Sequence, residues 1–376
     1  MSSAPQLWCS ISGHGFGHAA QVAPVLNALG RLIPDLRVVL RTTVPARFFH
    51  ERLTIPWDHR PEQQDIGCVQ DGPLKIDVPG TWAALETFHA NWERRLSEEV
   101  TLLRSFRPNL VLSDISYFAL DAAARAGIPT VALASLAWDE IMDKFHEPGH
   151  TRQAAIIAEM RRCYGSVDSF LRIAPSMPLR SFPPSVDVGP IVEPLVPDRE
   201  TLRARIGATP NECVVLVGFG GISLTNLPYD QMESMDGYRF LIDGALPHPC
   251  RRIHSVQDTG MRFMTVLAST DIVMTKPGYS TIVECVDKRR PVIYVRRYIF
   301  GDEQSLVDYL HAHGHGIELS LADFDAGRWQ ASLDTLRPIA MHTGAVPSTS
   351  RQPLPAGTDA AAAHLAALLQ AGRISA

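Results

Sequence analysis

Lysine is scarce in this 376-residue chain: only Lys75, Lys144, Lys276 and Lys288 stand among its 35 basic residues. A lysine inside a motif is therefore less readily put down to drift. The formal net charge of −5 leaves no basic footprint for nucleic acid or an anionic membrane. No apolar run approaches the roughly 18 residues of a membrane span, and VALASLAW (131–138) reads as a core strand. The start, MSSAPQLWCSISGHG, has neither the basic opening nor the apolar block of a signal peptide. The expectation is a cytoplasmic location. The six cysteines are scattered singly, with no C-x-x-C pair, and read as buried reduced thiols.

What is present is a globular composition, 45% hydrophobic and 20% charged, long enough for two cores of roughly 180 residues each. QLWCSIS (6–12), RVVLRTT (37–43), NLVLSD (109–114) and PTVALAS (129–135) read as buried strands. Between them 19–32, 82–106 and 117–127 carry helical spacing. This alternation predicts an α/β fold with a parallel, doubly wound sheet. It breaks at 175–197, where Pro175, Pro178, Pro183, Pro184, Pro190, Pro194 and Pro197 make a stiff, domain-joining segment.

The alternation then resumes, with strands at 212–221, 238–244, 271–276, 291–297 and 316–320. Helices are expected at 261–269, 278–287, 303–312 and 321–334. The resulting division is 1–185 for an N-terminal Rossmann-like domain and 186–342 for a second. An alanine-rich helix, 359–372, is expected to pack back on the first. Ligands of open parallel sheets sit outside the carboxyl ends of the strands, so the site is expected between two facing edges.

ISGHGFGHAAQ (11–21) ends a strand and opens a helix. Gly13, Gly15 and Gly17 permit a tight turn and close approach of a ligand to the helix start. The spacing departs from G-x-G-x-x-G, and Arg41, Thr42 and Thr43 stand where a ribose-binding acid would end the second strand. A nicotinamide site is not expected. His14 and His18 flank the turn. An imidazole near a positive helix end has a depressed proton affinity and suits a general base; the alternative is that His18 only caps or packs the turn. Asp114, at a strand end in the same half, either holds the tautomer of such a base or N-caps the next helix. His14, His18 and HAHGHG (311–316) fall in different halves without an acidic partner motif, so no metal is expected.

In the second half, GFGGIS (218–223) supplies bare N–H groups through Gly220 and Gly221, and Ser223 a hydroxyl. DIVMTKPGYSTIVECV (271–286) is the stronger phosphate signal: a strand ends at Lys276, Gly278 turns, and Tyr279, Ser280 and Thr281 open a helix. Glu284 lies one turn further, suited to both hydroxyls of a ribose. FGDEQ (300–304) then places Asp302, Glu303 and Gln304 at a strand edge, a cluster for sugar hydroxyls. Arg296 and Arg297 read equally as phosphate contacts or surface ion pairs, and base-reading groups are expected near Gln257–Met261.

On GFGH (15–18), LSDISYFAL, TKPGYSTIVE and GDEQ, the whole chain resembles the two-domain GT-B glycosyltransferases of the inverting, metal-independent, nucleotide-sugar-dependent type. The resemblance implies His18 as the base and Asp114 as its partner. It places Gly278, Ser280 and Thr281 at the phosphates, Glu284 at the ribose, and Glu303 and Gln304 at the sugar. Many members carry histidine or arginine where Lys276 stands. SGHGFGHA, TKPGYSTIVE, YVRRYIFGDEQ and GIELSLADFDAGRW also look like the GT-B-like region preceding the kinase domain of plant L-arabinokinases. No Gly-Leu-Ser-Ser-Ser-like phosphate loop is found, so kinase activity is not carried over.

The expected activity is transfer of a sugar from a nucleoside-diphosphate sugar, first of all a UDP-sugar, to a hydroxyl of a small-molecule or glycan acceptor, without metal or cofactor. Hydrolysis of the donor and non-catalytic donor binding are the alternatives. Trp82, Phe88, Trp138 and Phe145 either stack on the acceptor or close the core.

Overall fold

The computed structural model describes residues 4–72, 74–220, 227–341 and 352–374. The first half carries β1 (Gln6–Ile11), β2 (Arg37–Arg41), β3 (Trp57–His59), β4 (Leu110–Asp114), β5 (Thr130–Ala134), β6 (Ser169–Ile173) and β7 (Val186–Val188). The second carries β8 (Cys213–Val217), β9 (Tyr238–Ile242), β10 (Ile253–Ser255), β11 (Ile272–Thr275), β12 (Val292–Tyr294) and β13 (Gly316–Glu318). They form a seven-stranded sheet ordered β3-β2-β1-β4-β5-β6-β7 and a six-stranded sheet ordered β10-β9-β8-β11-β12-β13. Neighbouring strands run parallel throughout both sheets.

The central strands β4, β5 and β8 are buried at every position, as parallel strands covered on both faces by helices must be. Each sheet reverses its strand order once, between β1 and β4 and between β8 and β11. Such reversals open a crevice at the carboxyl edge. Both Gly-rich turns leave from these two points.

Two expected helices are each divided. The stretch 82–106 falls into Val78–Ala90 and Trp92–Phe106, because Asn91 leaves helical geometry (φ −112, ψ 22). The first of these starts early because the Asp77 carboxylate accepts from Gly80 N–H. The stretch 321–334 divides into Leu321–Asp325 and Gln330–Met341, with Gly327 at φ +67 between them. Glycine adopts that conformation without the cost a Cβ brings, and a Cβ there would meet Gln231 and Pro228 within 3.0 Å.

The proline-rich 175–197 segment is not uniformly a connector. Its residues Val186–Val188 pair with β6, so the first sheet runs past residue 185. The helix Thr358–Ile374 packs on the helix Gly17–Leu32. There Arg31 pairs with Asp359 at 3.0 Å, and His364 Nε2 lies 2.8 Å from Ser169 Oγ. Among the described residues no helix is long and apolar enough to cross a membrane.

Candidate functional site

His18 and Asp114 come together because β1 and β4 are neighbours, with Ile11 opposite Asp114. The turn after β1 uses Gly15 at φ +77 and starts the Gly17–Leu32 helix with His18 in its first turn. His18 Nδ1 lies 3.2 Å from Asp114 Oδ1 and 3.1 Å from Oδ2. The carboxylate therefore holds the Nδ1–H tautomer and leaves Nε2 with a free lone pair. Among the described residues Nε2 has no hydrogen-bond partner, and His18 lines a cavity of about 480 Å³. Asp114 is not the helix cap. Ser116 is, its hydroxyl accepting from Ala119 N–H.

The proton affinity of His18 is the reverse of the sequence expectation. Burial lowers it, but the charge and hydrogen bond of Asp114, with the charges of Asp65 and Asp302, raise it above the ordinary 6.5. A helix start contributes a fraction of a charge, whereas these residues bring three carboxyl groups. Asp65 is fixed by Ser12 Oγ and Trp138 Nε1, each at 2.9 Å.

His14 has a separate place. Its Nδ1 accepts from Cys68 N–H at 3.3 Å, and its Nε2 lies 3.0 Å from the Gln70 amide. Burial, then the charges of His18, Arg297 and Lys276, push it down to about 3. It is neutral and pins the 66–70 loop to the turn. The charged groups around it make it a poor base.

On the opposite wall stand Gly220, Lys276, Gly278, Tyr279, Ser280 and Thr281. The helix Tyr279–Asp287 starts at Gly278 with no side-chain cap, so its first N–H groups are available to an anion. Lys276 is brought down to about 8 by burial and Arg297, and among the described residues no group hydrogen-bonds its ammonium. Arg297 also lines the cavity while pairing with Glu303 at 2.7 Å, an ion pair buried on both sides where the sequence reading had a surface one.

Of the expected site residues, Gly15, Gly17, His18, Gly220, Lys276, Gly278, Tyr279, Ser280 and Thr281 line this cavity. The Tyr279 hydroxyl is spent elsewhere, donating to Ala174 C=O at 2.8 Å and accepting from Ile191 N–H at 3.1 Å. Glu284, Glu303 and Gln304 are not among the lining residues. Glu284 is buried, accepts from Glu193 N–H at 2.6 Å, and has Oε2 without a partner. Burial raises its carboxyl to about 8.

Glu303 is fully buried and holds Arg297 by its side chain and its N–H. Gln304 bonds Arg296 and Asp308. The acid that does line the cavity is Asp302, lifted to about 7 by burial against the opposing pull of Arg297. Gly221 and Ser223 lie outside the described residues.

Trp82, Phe88 and Trp138 are buried in the first half's core, with Phe145 packed against it. Phe300, from the second half, enters the same core and stacks on His14 at 6.1 Å and 13°. His311 and His313 face Tyr294 and the Gln352 carbonyl, away from His14 and His18. Sequence reasoning placed His14 beside the turn without giving it a role, and missed Phe16, Gln21, Cys68, Gln70 and Phe300 as wall residues. A non-periodic loop such as 60–77 gives no signal of where it docks.

No family model matches the chain. The solved calicheamicin glycosyltransferase CalG4 superposes with a TM-score of 0.61 at 16% identity, over 99% of this chain and 100% of that one. Phytolacca americana UGT2, complexed with UDP-2fluoro-glucose and pterostilbene, gives 0.61 at 15% identity over 98% and 100%. MurG of Acinetobacter baumannii gives 0.56 at 15% identity over 98% and 99%. The fold is that of the GT-B glycosyltransferases, two doubly wound parallel sheets with facing carboxyl edges. In sequence the chain is similar to L-arabinokinase of Arabidopsis thaliana, 28% identical over 335 residues. That match takes in 86% of this chain and 31% of that protein, so the chain spans under a third of the relative's length.

Proposed function

We propose that the protein is an inverting glycosyltransferase that moves a sugar from a nucleoside-diphosphate sugar, foremost a UDP-sugar, to an acceptor hydroxyl. One observation carries the reading: a carboxylate-held imidazole, His18, presents a free Nε2 to a cavity whose far wall is an uncapped helix start with a lysine and an arginine. Similar folds solved with UDP-2fluoro-glucose, and with UDP in an anthocyanidin 3-O-glucosyltransferase, support the donor class.

In this reading Nε2 takes the proton of the acceptor hydroxyl as its oxygen bonds to the anomeric carbon. The bond from that carbon to the diphosphate oxygen breaks, and the imidazolium formed is stabilised by Asp114. The departing diphosphate meets the N–H groups after Gly278, the hydroxyl of Thr281, that of Ser280 once the Gly17 carbonyl releases it, and the charges of Lys276 and Arg297. These fixed groups supply the charge stabilisation that a metal gives in other transferases. Asp302 takes sugar hydroxyls. Glu284 takes a ribose hydroxyl when the Glu193 N–H releases it. The kinase reaction in the name of the Arabidopsis relative is not part of the proposal.

The test is a panel of UDP-, dTDP- and GDP-sugars with pooled hydroxyl acceptors, following diphosphate release and product anomeric configuration by NMR. Inverted product with one donor is expected. Release without acceptor dependence would make the protein a hydrolase, and no release from any donor would leave a binding protein.

A further inference from the structure

We infer that Phe16 is a nucleobase platform, through which the first half contributes to binding the nucleoside diphosphate. The inference rests on the donor-site reading above and adds a contact that the donor motifs of the second half do not contain.

Phe16 is the residue before the Gly17–Leu32 helix. It lines the cavity and leaves 37% of its surface uncovered, although the ring beneath it, Phe48, is 8% exposed. The two rings stack in parallel, 5.3 Å apart at 11°. The Arg52 guanidinium lies 4.0 Å over the Phe48 ring. One face of Phe16 is thus built and backed, and among the described residues no other ring covers the second. An apolar face left open costs hydration free energy. A rigid, open aromatic plate at a ligand cavity lowers the entropy loss of a planar ligand that lies on it.

The neighbours say which planar group fits. Gly17, the next residue, accepts through its carbonyl from Ser280 Oγ at 3.2 Å, so Phe16 stands beside the start of the proposed diphosphate helix. On the other side, Arg52 lies within the charge field of Glu193 and Arg262, which pair at 2.7 Å. Arg262 immediately precedes the Phe263–Ser269 helix and follows the Gln257–Met261 segment. Phe16 therefore stands at the diphosphate end of the site, and Phe48 and Arg52 behind it link it toward Arg262, which follows the segment read from sequence as base-reading. A diphosphate alone has no use for an aromatic plate, and a base attached to it does.

The experiment compares UDP with inorganic pyrophosphate on wild type, Phe16→Ala and Phe16→Trp, with thermal melting of each variant to check its fold. Base stacking of this kind is lost at about tenfold in affinity on alanine substitution. Phe16→Ala should raise the Kd for UDP about tenfold and leave that for pyrophosphate unchanged. In Phe16→Trp the added emission, read as a difference from wild type, should be quenched by UDP and indifferent to pyrophosphate.

Equal effects of Phe16→Ala on both ligands, no effect on either, or quenching by aromatic alcohols in place of UDP would overturn the inference. So would pyrophosphate binding without binding of any nucleoside diphosphate. Phe16-dependent UDP binding without turnover of any donor leaves the platform standing and removes the transferase reading instead. Binding of neither ligand removes both.

Discussion

Ser280 donates its hydroxyl to the carbonyl of Gly17 at 3.2 Å, across the line between the two halves. The bond joins the starts of two uncapped helices, one carrying the proposed base and the other the proposed diphosphate cradle. The proposed base and the proposed diphosphate cradle thus stand on facing walls joined by a contact between the walls themselves, the positioning that a displacement at carbon would require.

The pH profile follows from the raised proton affinity of His18. In the proposed role neutral imidazole is the active form, so kcat/KM should climb through a pKa above the ordinary 6.5. Asp114→Asn removes the larger of the two kinds of support, and the acidic limb should move downward together with a fall in rate. A limb unchanged in Asp114→Asn would show that the titrating group is not His18.

Lys276 should give the donor site its own alkaline limit. Its ammonium loses its proton near 8, so pyrophosphate affinity should fall as pH rises through that value. In Lys276→Met the affinity should be weaker at pH 7 and nearly level between pH 7 and 9. Isothermal titration with pyrophosphate at several pH values reads both effects.

Glu284 should make folding stability pH-dependent. A carboxyl raised to about 8 favours the folded chain below the unfolded value near 4.5, and that contribution is lost as pH rises through about 8. Glu284→Gln keeps an acceptor for Glu193 N–H and cannot ionise. It should melt like wild type at pH 5 and be more stable by a few kcal/mol at pH 8, as denaturant midpoints would show.

Tyr279 separates wall from anchor. Its hydroxyl bonds Ala174 and Ile191, so Tyr279→Phe should lower stability by about 1–3 kcal/mol. Nucleotide affinity should stay within twofold. A large loss of UDP binding at unchanged stability would return the hydroxyl to the donor site.

Much of this was legible because the chemistry rides on strand–turn–helix units that local pattern reveals. GFGH predicts a histidine at a helix start after β1, NLVLSD an acid at the end of β4, and TKPGYST a lysine and hydroxyls at a helix start after β11. What stayed hidden depends on contacts distant in sequence. Helix polarity alone gave the wrong sign for His18, because Asp65, Asp114 and Asp302 reach it from three separate segments. Asp302 and Glu303 are adjacent in sequence and equally acidic. Only the buried Arg297 decides that Glu303 turns inward to pair while Asp302 lines the cavity.

The most direct measurement is diphosphate release by wild type and His18→Ala, with UDP affinity measured on both proteins. A general base at His18 requires the variant to lose about 10²–10⁴ in rate while binding UDP as tightly as wild type. Equal rates in the two proteins, or a rate loss matched by an equal loss of UDP affinity, would contradict that role.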